Sequence, residues 1–164
     1  MTKDLPKFDF ALAGKLKNPI KLRLWMLSHL PMGLMSGMKV SSLDAEGCKV
    51  ELKDRFWLHN PFRSVFWAVM GMAAELSTGA LLTAWCSGNK IKYILTGMEG
   101  NFFKKVRGKS FYFCGAGREI LNILATLDKP GDTATVTLPV IAEDRDGQKV
   151  AEFKFTWTLK KPET

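Results

Sequence analysis

One acidic side chain lies in the middle of a long apolar stretch of this sequence. Glu75 is the only charged residue between positions 63 and 90, and Asn60 precedes it by 15 positions. A carboxylate that is removed from water has a raised pKa, which suits a general base or a nucleophile. A structural hydrogen bond or an ion pair, for instance with Arg118, would explain the same residue without catalysis. The Asn60 side chain could orient a substrate or a water molecule, or it could cap the turn at Pro61.

The stretch that carries Glu75 is predicted to be a buried central helix. It runs from about Phe62 to Cys86 and is too long for a strand. Spacings of three and four place one set of mostly small residues on a single face: Ser64, Ala68, Gly71, Glu75, Gly79 and Leu82. Plain packing of the helix on a sheet explains this face equally well. A carboxylate at the centre of a membrane span would cost about 2.5 kcal/mol or more, so we expect no stable membrane insertion.

The segments around this helix have the alternating pattern of antiparallel strands. Such strands are predicted at residues 38–52 (two strands), 91–96, 102–114, 134–140 and 151–159. The last two are joined by Asp146-Gly147, a strong hairpin signal. Residues 115–127 are expected to form a short helix or an irregular segment.

An additional helix is predicted near the N-terminus. Asn18-Pro19 is a good helix start, and the helix would end near Leu30. Lys21 and Arg23 interleave with its apolar residues, which fits packing on its own domain or contact with a membrane surface. The order of elements predicts an α+β fold in which an antiparallel sheet wraps around one long central helix. We assign residues 1–37 to an N-terminal helical extension and residues 38–164 to the main domain.

Composition excludes some functions and leaves others open. The formal net charge is +8, spread along the chain, which indicates a solvated surface or an anionic partner. Because no zinc knuckle or glycine-rich aromatic RNA motif is present, we predict no nucleic-acid partner. Cys48, Cys86 and Cys114 are widely spaced, which predicts unpaired thiols in a reducing cytoplasm and no metal site.

The spacing of Asn60 and Glu75 within this order of elements resembles the hotdog-fold acyl-CoA thioesterases. In the phenylacetate-type branch of that superfamily, a loop asparagine is followed at this distance by an acidic residue on the central helix. The resemblance covers roughly Met38 to Leu159. Within the superfamily, the chain most resembles a bacterial subgroup. The chain departs from the branch at residues 66–68, where Phe-Trp-Ala replaces His-Gly-Gly at the start of the helix.

The resemblance implies a role for each of these residues. Glu75 would activate a water molecule or attack the thioester carbonyl itself, and Asn60 would orient the thioester or the water. The backbone amides of Trp67 and Ala68 would stabilise the oxyanion. Further residues implied in substrate binding are Thr78, Gly79, Lys104, Lys105 and Arg107. The last three would be ligands of the coenzyme A phosphates; the alternative is that they form a solvated strand edge.

The resemblance also implies the partners of the protein. The substrate would be an acyl-CoA or another acyl thioester, with coenzyme A as part of the substrate and no separate cofactor. Members of the superfamily are usually homodimers or homotetramers with the pocket between subunits, so a homo-oligomer is expected. The alternative is a non-catalytic hotdog protein that binds acyl-CoA or a fatty acid.

Overall fold

The computed structural model describes residues 5–163 of the chain. Its helices are α1 (Phe10–Lys17), α2 (Pro19–His29), α3 (Pro31–Ser36), α4 (Trp67–Ser87) and α5 (Gly117–Leu124), with a 3-10 turn at Phe56–Leu58. Its strands are β1 (Lys39–Leu43), β2 (Cys48–Lys53), β3 (Lys92–Phe102), β4 (Lys109–Cys114), β5 (Thr133–Asp144) and β6 (Lys149–Lys160). The strands form one antiparallel sheet in the order β1-β2-β4-β5-β6-β3, and α4 packs across it. The predicted α+β hotdog fold is therefore confirmed.

The central helix is confirmed, but it begins at Trp67 rather than near Phe62. The side-chain oxygen of Asn60 accepts hydrogen bonds from the backbone N–H groups of Phe62 and Ser64, which folds this segment into a turn. Arg63 has a φ of 57°, in the left-handed region, so a right-handed helix cannot pass through it. Helix α4 is long and apolar enough to cross a membrane, but 67% of its most apolar window is buried inside the protein. That burial is what a core helix requires.

The predicted face of small residues on this helix is only partly correct. Ser64 lies in the preceding loop, and Leu82 is fully buried. Leu82 belongs to the end of α4 that the N-terminal segment covers, where the Asp9 N–H donates to the Ala84 carbonyl over 2.9 Å. The side of α4 that stays open carries Met72, Glu75, Leu76, Gly79 and Thr83.

Strand β3 is longer than predicted and continues to Phe102. A bulge between Leu95 and Gly97 shifts its pairing with β6 by one residue, so the alternation of side chains breaks there and resumes at Met98. The strand predicted at residues 102–114 is correspondingly shorter, since β4 begins only at Lys109. Strand β3 lies at one edge of the sheet and, in the described chain, pairs with β6 alone.

The hairpin of β5 and β6 and the helix at Asn18-Pro19 are confirmed. The Asn18 side-chain oxygen accepts from the N–H groups of Ile20 and Lys21, as a cap does. Helices α1 and α3 were not predicted. Buried residues of α1 and α2, among them Leu22 and Met26, belong to the same core as the sheet. The boundary at residue 37 remains a prediction.

Candidate functional site

An apolar cavity of about 450 Å³ lies between α4 and the two helices at the N-terminus. Its volume is within the range of about 300–1,000 Å³ that is usual for small-molecule sites. The N-terminal wall consists of Leu12, Lys15, Leu16, Lys21, Leu22, Trp25 and Leu30, and the opposite wall consists of Met72, Glu75, Leu76, Gly79, Ala80, Thr83, Tyr93 and Trp157. Apart from two lysines, Glu75 is the only charged side chain in this lining.

The Glu75 side chain borders this cavity instead of pointing into the core. The residue is exposed, which corrects the prediction of a buried, inward carboxylate. Helix α4 faces the sheet with its other sides, so Glu75 meets the cavity rather than the packed core. Within residues 5–163 no cation lies within 4 Å of it, so the ion pair considered with Arg118 is not formed. Although the residue as a whole is exposed, the neighbouring protein removes part of the water around its carboxylate, and this partial desolvation raises the pKa of Glu75 above the ordinary 4.5.

Polar groups beside Glu75 are already engaged with one another. The Thr83 hydroxyl lies 2.6 Å from the Tyr93 hydroxyl and donates to the Gly79 carbonyl over 2.6 Å. Tyr93 and Trp157 come from β3 and β6, and their rings contact edge to face at 5.8 Å. This aromatic wall was not predicted from the sequence, because both residues also fit an ordinary alternating strand.

Of the two neighbouring residues predicted to bind substrate, only Gly79 lines the cavity. Thr78 is fully buried on the sheet side of α4, where it accepts from the Trp157 indole N–H over 3.2 Å and donates to the Glu75 carbonyl. Its hydroxyl therefore fixes Trp157 against the helix. A direct contact of Thr78 with substrate remains a prediction.

A second cavity, of about 360 Å³, is lined by four of the other residues predicted for the site: Asn60, Trp67, Lys104 and Lys105. The Asn60 oxygen accepts three hydrogen bonds within its loop, from two backbone N–H groups and the Ser64 hydroxyl. The Asn60 amide nitrogen has no acceptor among the described residues, so it is available to a ligand. The cap and the substrate-orienting role considered for Asn60 are thus compatible.

The start of α4 borders this second cavity and offers free backbone donors. Phe66 is the residue before the helix and makes no side-chain cap. The N–H groups of Trp67 and Ala68 have no acceptor in the described part of the chain, as is usual for the first turn of a helix. The Phe66 and Trp67 rings contact each other at 5.5 Å, and both are partly exposed. An anionic oxygen at this point would also be favoured by the helix dipole.

The three cations predicted for coenzyme A phosphates differ in their surroundings. Lys104 donates to the Asp144 carboxylate over 3.0 Å and to the Gln148 side chain over 2.6 Å. The Lys105 ammonium lies 5.9 Å from the centre of the Phe62 ring. Arg107 is exposed on the same connection between β3 and β4. Lys105 and Arg107 are therefore better placed than Lys104 to bind a new anion.

The predicted catalytic groups of one chain do not meet in one cavity. Trp67 and Glu75 are eight residues apart on α4, which is about 12 Å along the helix axis. Asn60 and the helix start border one cavity, and Glu75 borders the other. Since the reacting atoms of a hydrolase must lie within about 3 Å of their partners, one chain alone does not assemble this site.

The described residues indicate neither a metal centre nor a reactive thiol. They include no group of three or more His, Cys, Asp or Glu side chains that could hold a metal ion. The three cysteines are unpaired, as predicted, and buried. Burial raises the pKa of the Cys86 thiol to about 12 and that of Cys114 to about 11, so neither is a reactive thiolate at neutral pH.

Comparisons with known proteins agree with this fold. The profile of the family described as a domain of unknown function, DUF4442, matches residues 24–159. Among solved structures, a Pseudomonas aeruginosa protein of unknown function superposes with a TM-score of 0.73 at 19% identity, over 90% of this chain and 99% of that one. A mutant of a second Pseudomonas aeruginosa protein, a thioesterase, gives 0.64 at 15% identity, over 98% of this chain and 96% of that one.

A mutant thioesterase enzyme from Staphylococcus aureus gives a TM-score of 0.64 at 10% identity, over 79% of this chain and 98% of that chain. A search of curated protein sequences finds no match. At these identities the structural likenesses establish the fold and leave the chemistry to the residues of the site. None of them tests the resemblance to the phenylacetate-type branch, which stays a prediction.

Proposed function

The chain belongs to the DUF4442 family, and from its hotdog fold and the likeness of that fold to thioesterases we propose that it hydrolyses acyl thioesters, with an acyl-CoA as the substrate. The observation that carries the proposal is the position of Glu75, an unpaired carboxylate on the wall of an apolar cavity. An acyl chain would occupy the cavity, and its thioester carbonyl would lie near the carboxylate.

In this reaction Glu75 would take a proton from a water molecule as the water oxygen attacks the thioester carbonyl carbon. The negative charge that develops on the carbonyl oxygen would be stabilised by the N–H groups of Trp67 and Ala68. Collapse of the tetrahedral intermediate breaks the C–S bond, and Glu75 returns the proton to the departing thiolate. Direct attack by Glu75, followed by hydrolysis of the anhydride, would use the same groups.

A second copy of the chain would bring these groups together. Strand β3 is an edge of 11 residues, and its side chains Ile94, Met98 and Phe102 are apolar and exposed. An edge of this kind is a template for pairing with another strand. Antiparallel pairing of two β3 strands about a two-fold axis would set the α4 helices side by side in opposite directions. Glu75 of one subunit could then approach Asn60 of the partner subunit.

The remaining groups would bind the rest of the substrate. Lys105 and Arg107, on an exposed connection near the second cavity, would bind phosphates of coenzyme A. Three unpaired thiols fit a reducing compartment such as the cytoplasm. There the protein would have access to acyl-CoA.

The proposal is tested by release of free thiol from a panel of acyl-CoA thioesters that spans short, medium, long and aromatic acyl groups. We expect hydrolysis of at least one class of substrate at a rate well above the uncatalysed rate. The absence of hydrolysis across the panel, with a folded protein, would contradict the proposal.

Filling the cavity at Gly79 should shift the preference towards shorter acyl groups. A Cβ atom at Gly79 would lie 3.9 Å from the Trp157 ring, so alanine fits and a larger side chain projects into the cavity. We expect Gly79→Leu to raise KM for the longest substrate by tenfold or more, roughly the effect of a few excluded methylene groups. Gly79→Ala is the matched control and should change KM little. If Gly79→Leu left the dependence of KM on acyl-chain length unchanged, this cavity would be excluded as the acyl-binding site.

A non-catalytic acyl-binding protein is the alternative, and one observation favours it. The Phe66 and Trp67 rings stand at the helix start, where a thioester carbonyl would have to approach the backbone N–H groups. Such a protein would bind acyl-CoA or a fatty acid saturably at the same cavity and release no thiol. Calorimetric titration with acyl-CoA beside the thiol assay separates the two functions.

A further inference from the structure

Helix α2 is apolar on two opposite faces although it lies on the surface. Leu22 and Met26 are buried in the core. Ile20, Leu24 and Leu27 are exposed by 65–69%, and their spacing of four and three places them on the side of the helix that faces away from the core. Isolated exposed apolar residues are ordinary, but a continuous outer stripe on a helix indicates a contact surface.

Further large apolar side chains of α2 and α3 are exposed. Met32 and Met35 on α3 are 59% and 61% exposed, and Trp25 on α2 is 45% exposed. Tryptophan is favoured where one side of a ring is apolar and the other is wet, as at the boundary of a bilayer. Helices α2 and α3 therefore expose six large apolar side chains: Ile20, Leu24, Trp25, Leu27, Met32 and Met35.

The segment that contains the stripe carries charges of one sign. Residues 10–43 contain no aspartate or glutamate, and they carry Lys15, Lys17, Lys21, Arg23 and Lys39. At 3.6 residues per turn, Lys21 and Arg23 lie on opposite sides of the apolar stripe. An apolar stripe between cations is the arrangement by which a surface helix binds anionic lipid.

We propose that the outer face of α2 docks the protein on an anionic lipid bilayer. The stripe would insert among the acyl chains near the surface, while Lys17, Lys21 and Arg23 contact lipid phosphates. A second copy of the chain fits this face poorly, because a two-fold interface would place its cations against one another. Lys21 and Trp25 also line the Glu75 cavity, so docking would place that cavity close to the membrane. The docking does not depend on thioester hydrolysis.

Co-sedimentation with vesicles tests the proposal. The full chain should bind vesicles of equimolar phosphatidylcholine and phosphatidylglycerol, and binding should fall as salt rises. It should bind vesicles of phosphatidylcholine alone much more weakly. Equal binding to both vesicles, or binding to neither, would overturn the proposal.

Two variants and a control locate the contact. Leu24→Gln with Leu27→Gln should lower the vesicle affinity by about tenfold or more, because two exposed leucines lose their apolar burial. Arg23→Gln with Lys17→Gln should lower it on anionic vesicles by a similar factor. Ile141→Gln, which changes an apolar residue 45% exposed on the sheet, should bind as the wild type does.

The same variants distinguish the lipid surface from a second copy. Light scattering should give the same mass for the Leu24→Gln, Leu27→Gln protein as for the wild type. A smaller mass together with unchanged vesicle binding would assign the stripe to a subunit interface and overturn the proposal.

Discussion

Glu75→Gln is expected to lower kcat for acyl-CoA hydrolysis by roughly 10²- to 10⁴-fold, the usual contribution of a general base. Glutamine has nearly the shape of glutamate and can still accept a hydrogen bond, but it cannot take a proton from water. Since Glu75 forms no ion pair in the described chain and borders an open cavity, the substitution should leave the packing intact. The measurement is steady-state thiol release with the best substrate of the panel.

The matched control for this variant is Glu143→Gln. Glu143 is an exposed carboxylate on β5 that lines neither of the two cavities. Its substitution removes the same charge from the protein and should leave kcat unchanged. Full turnover in a Glu75→Gln protein that melts cooperatively would exclude Glu75 from catalysis, both as a general base and as a nucleophile.

Activity is also expected to return when two inactive variants are combined in one dimer. In Asn60→Asp the acceptor oxygen that holds the loop is retained, and the amide donor that is available to a ligand is lost. We expect this protein, like Glu75→Gln, to be nearly inactive. If each site takes Glu75 from one subunit and Asn60 from the other, a mixed dimer has one site with both native residues.

Co-expression with two different affinity tags allows the mixed dimer to be purified. It should show roughly half of the turnover of the wild-type dimer, because one of its two sites is intact. Pure mixed dimers without activity would show that both residues act within one subunit. A fully active Asn60→Asp protein would exclude Asn60 from catalysis. The recovery is large because the parent variants start near zero.

The central helix and the strands could be predicted because their signals are local. The apolar stretch between Arg63 and Lys90, with Glu75 as its one charge, and the alternation in β5 and β6 require no knowledge of distant residues. The turn before α4 was missed because it depends on the Asn60 side chain and on the left-handed conformation of Arg63. Strand β3 was predicted too short because its bulge interrupts the alternation.

The walls of the site could not be predicted for a different reason. On α4, Thr78 and Thr83 lie at comparable angles on opposite sides of Glu75, and only the position of the sheet decides which one is buried. The sheet covers Thr78, and Thr83 faces the cavity. The other wall is formed by α1 and α2, and of these two helices the sequence predicted only α2. Contacts between distant segments therefore determine the exposure of Glu75.

The pH dependence of kcat/KM tests the role of the Glu75 carboxylate most directly. The ionised carboxylate is the active form, and burial raises its pKa, so activity should be low near pH 4.5 and rise with pH above that value. The rise should follow the titration of one group and be absent from the residual activity of Glu75→Gln. A flat profile between pH 4 and 8, or the same rise in the Glu75→Gln protein, would contradict the assignment of Glu75 as the catalytic base.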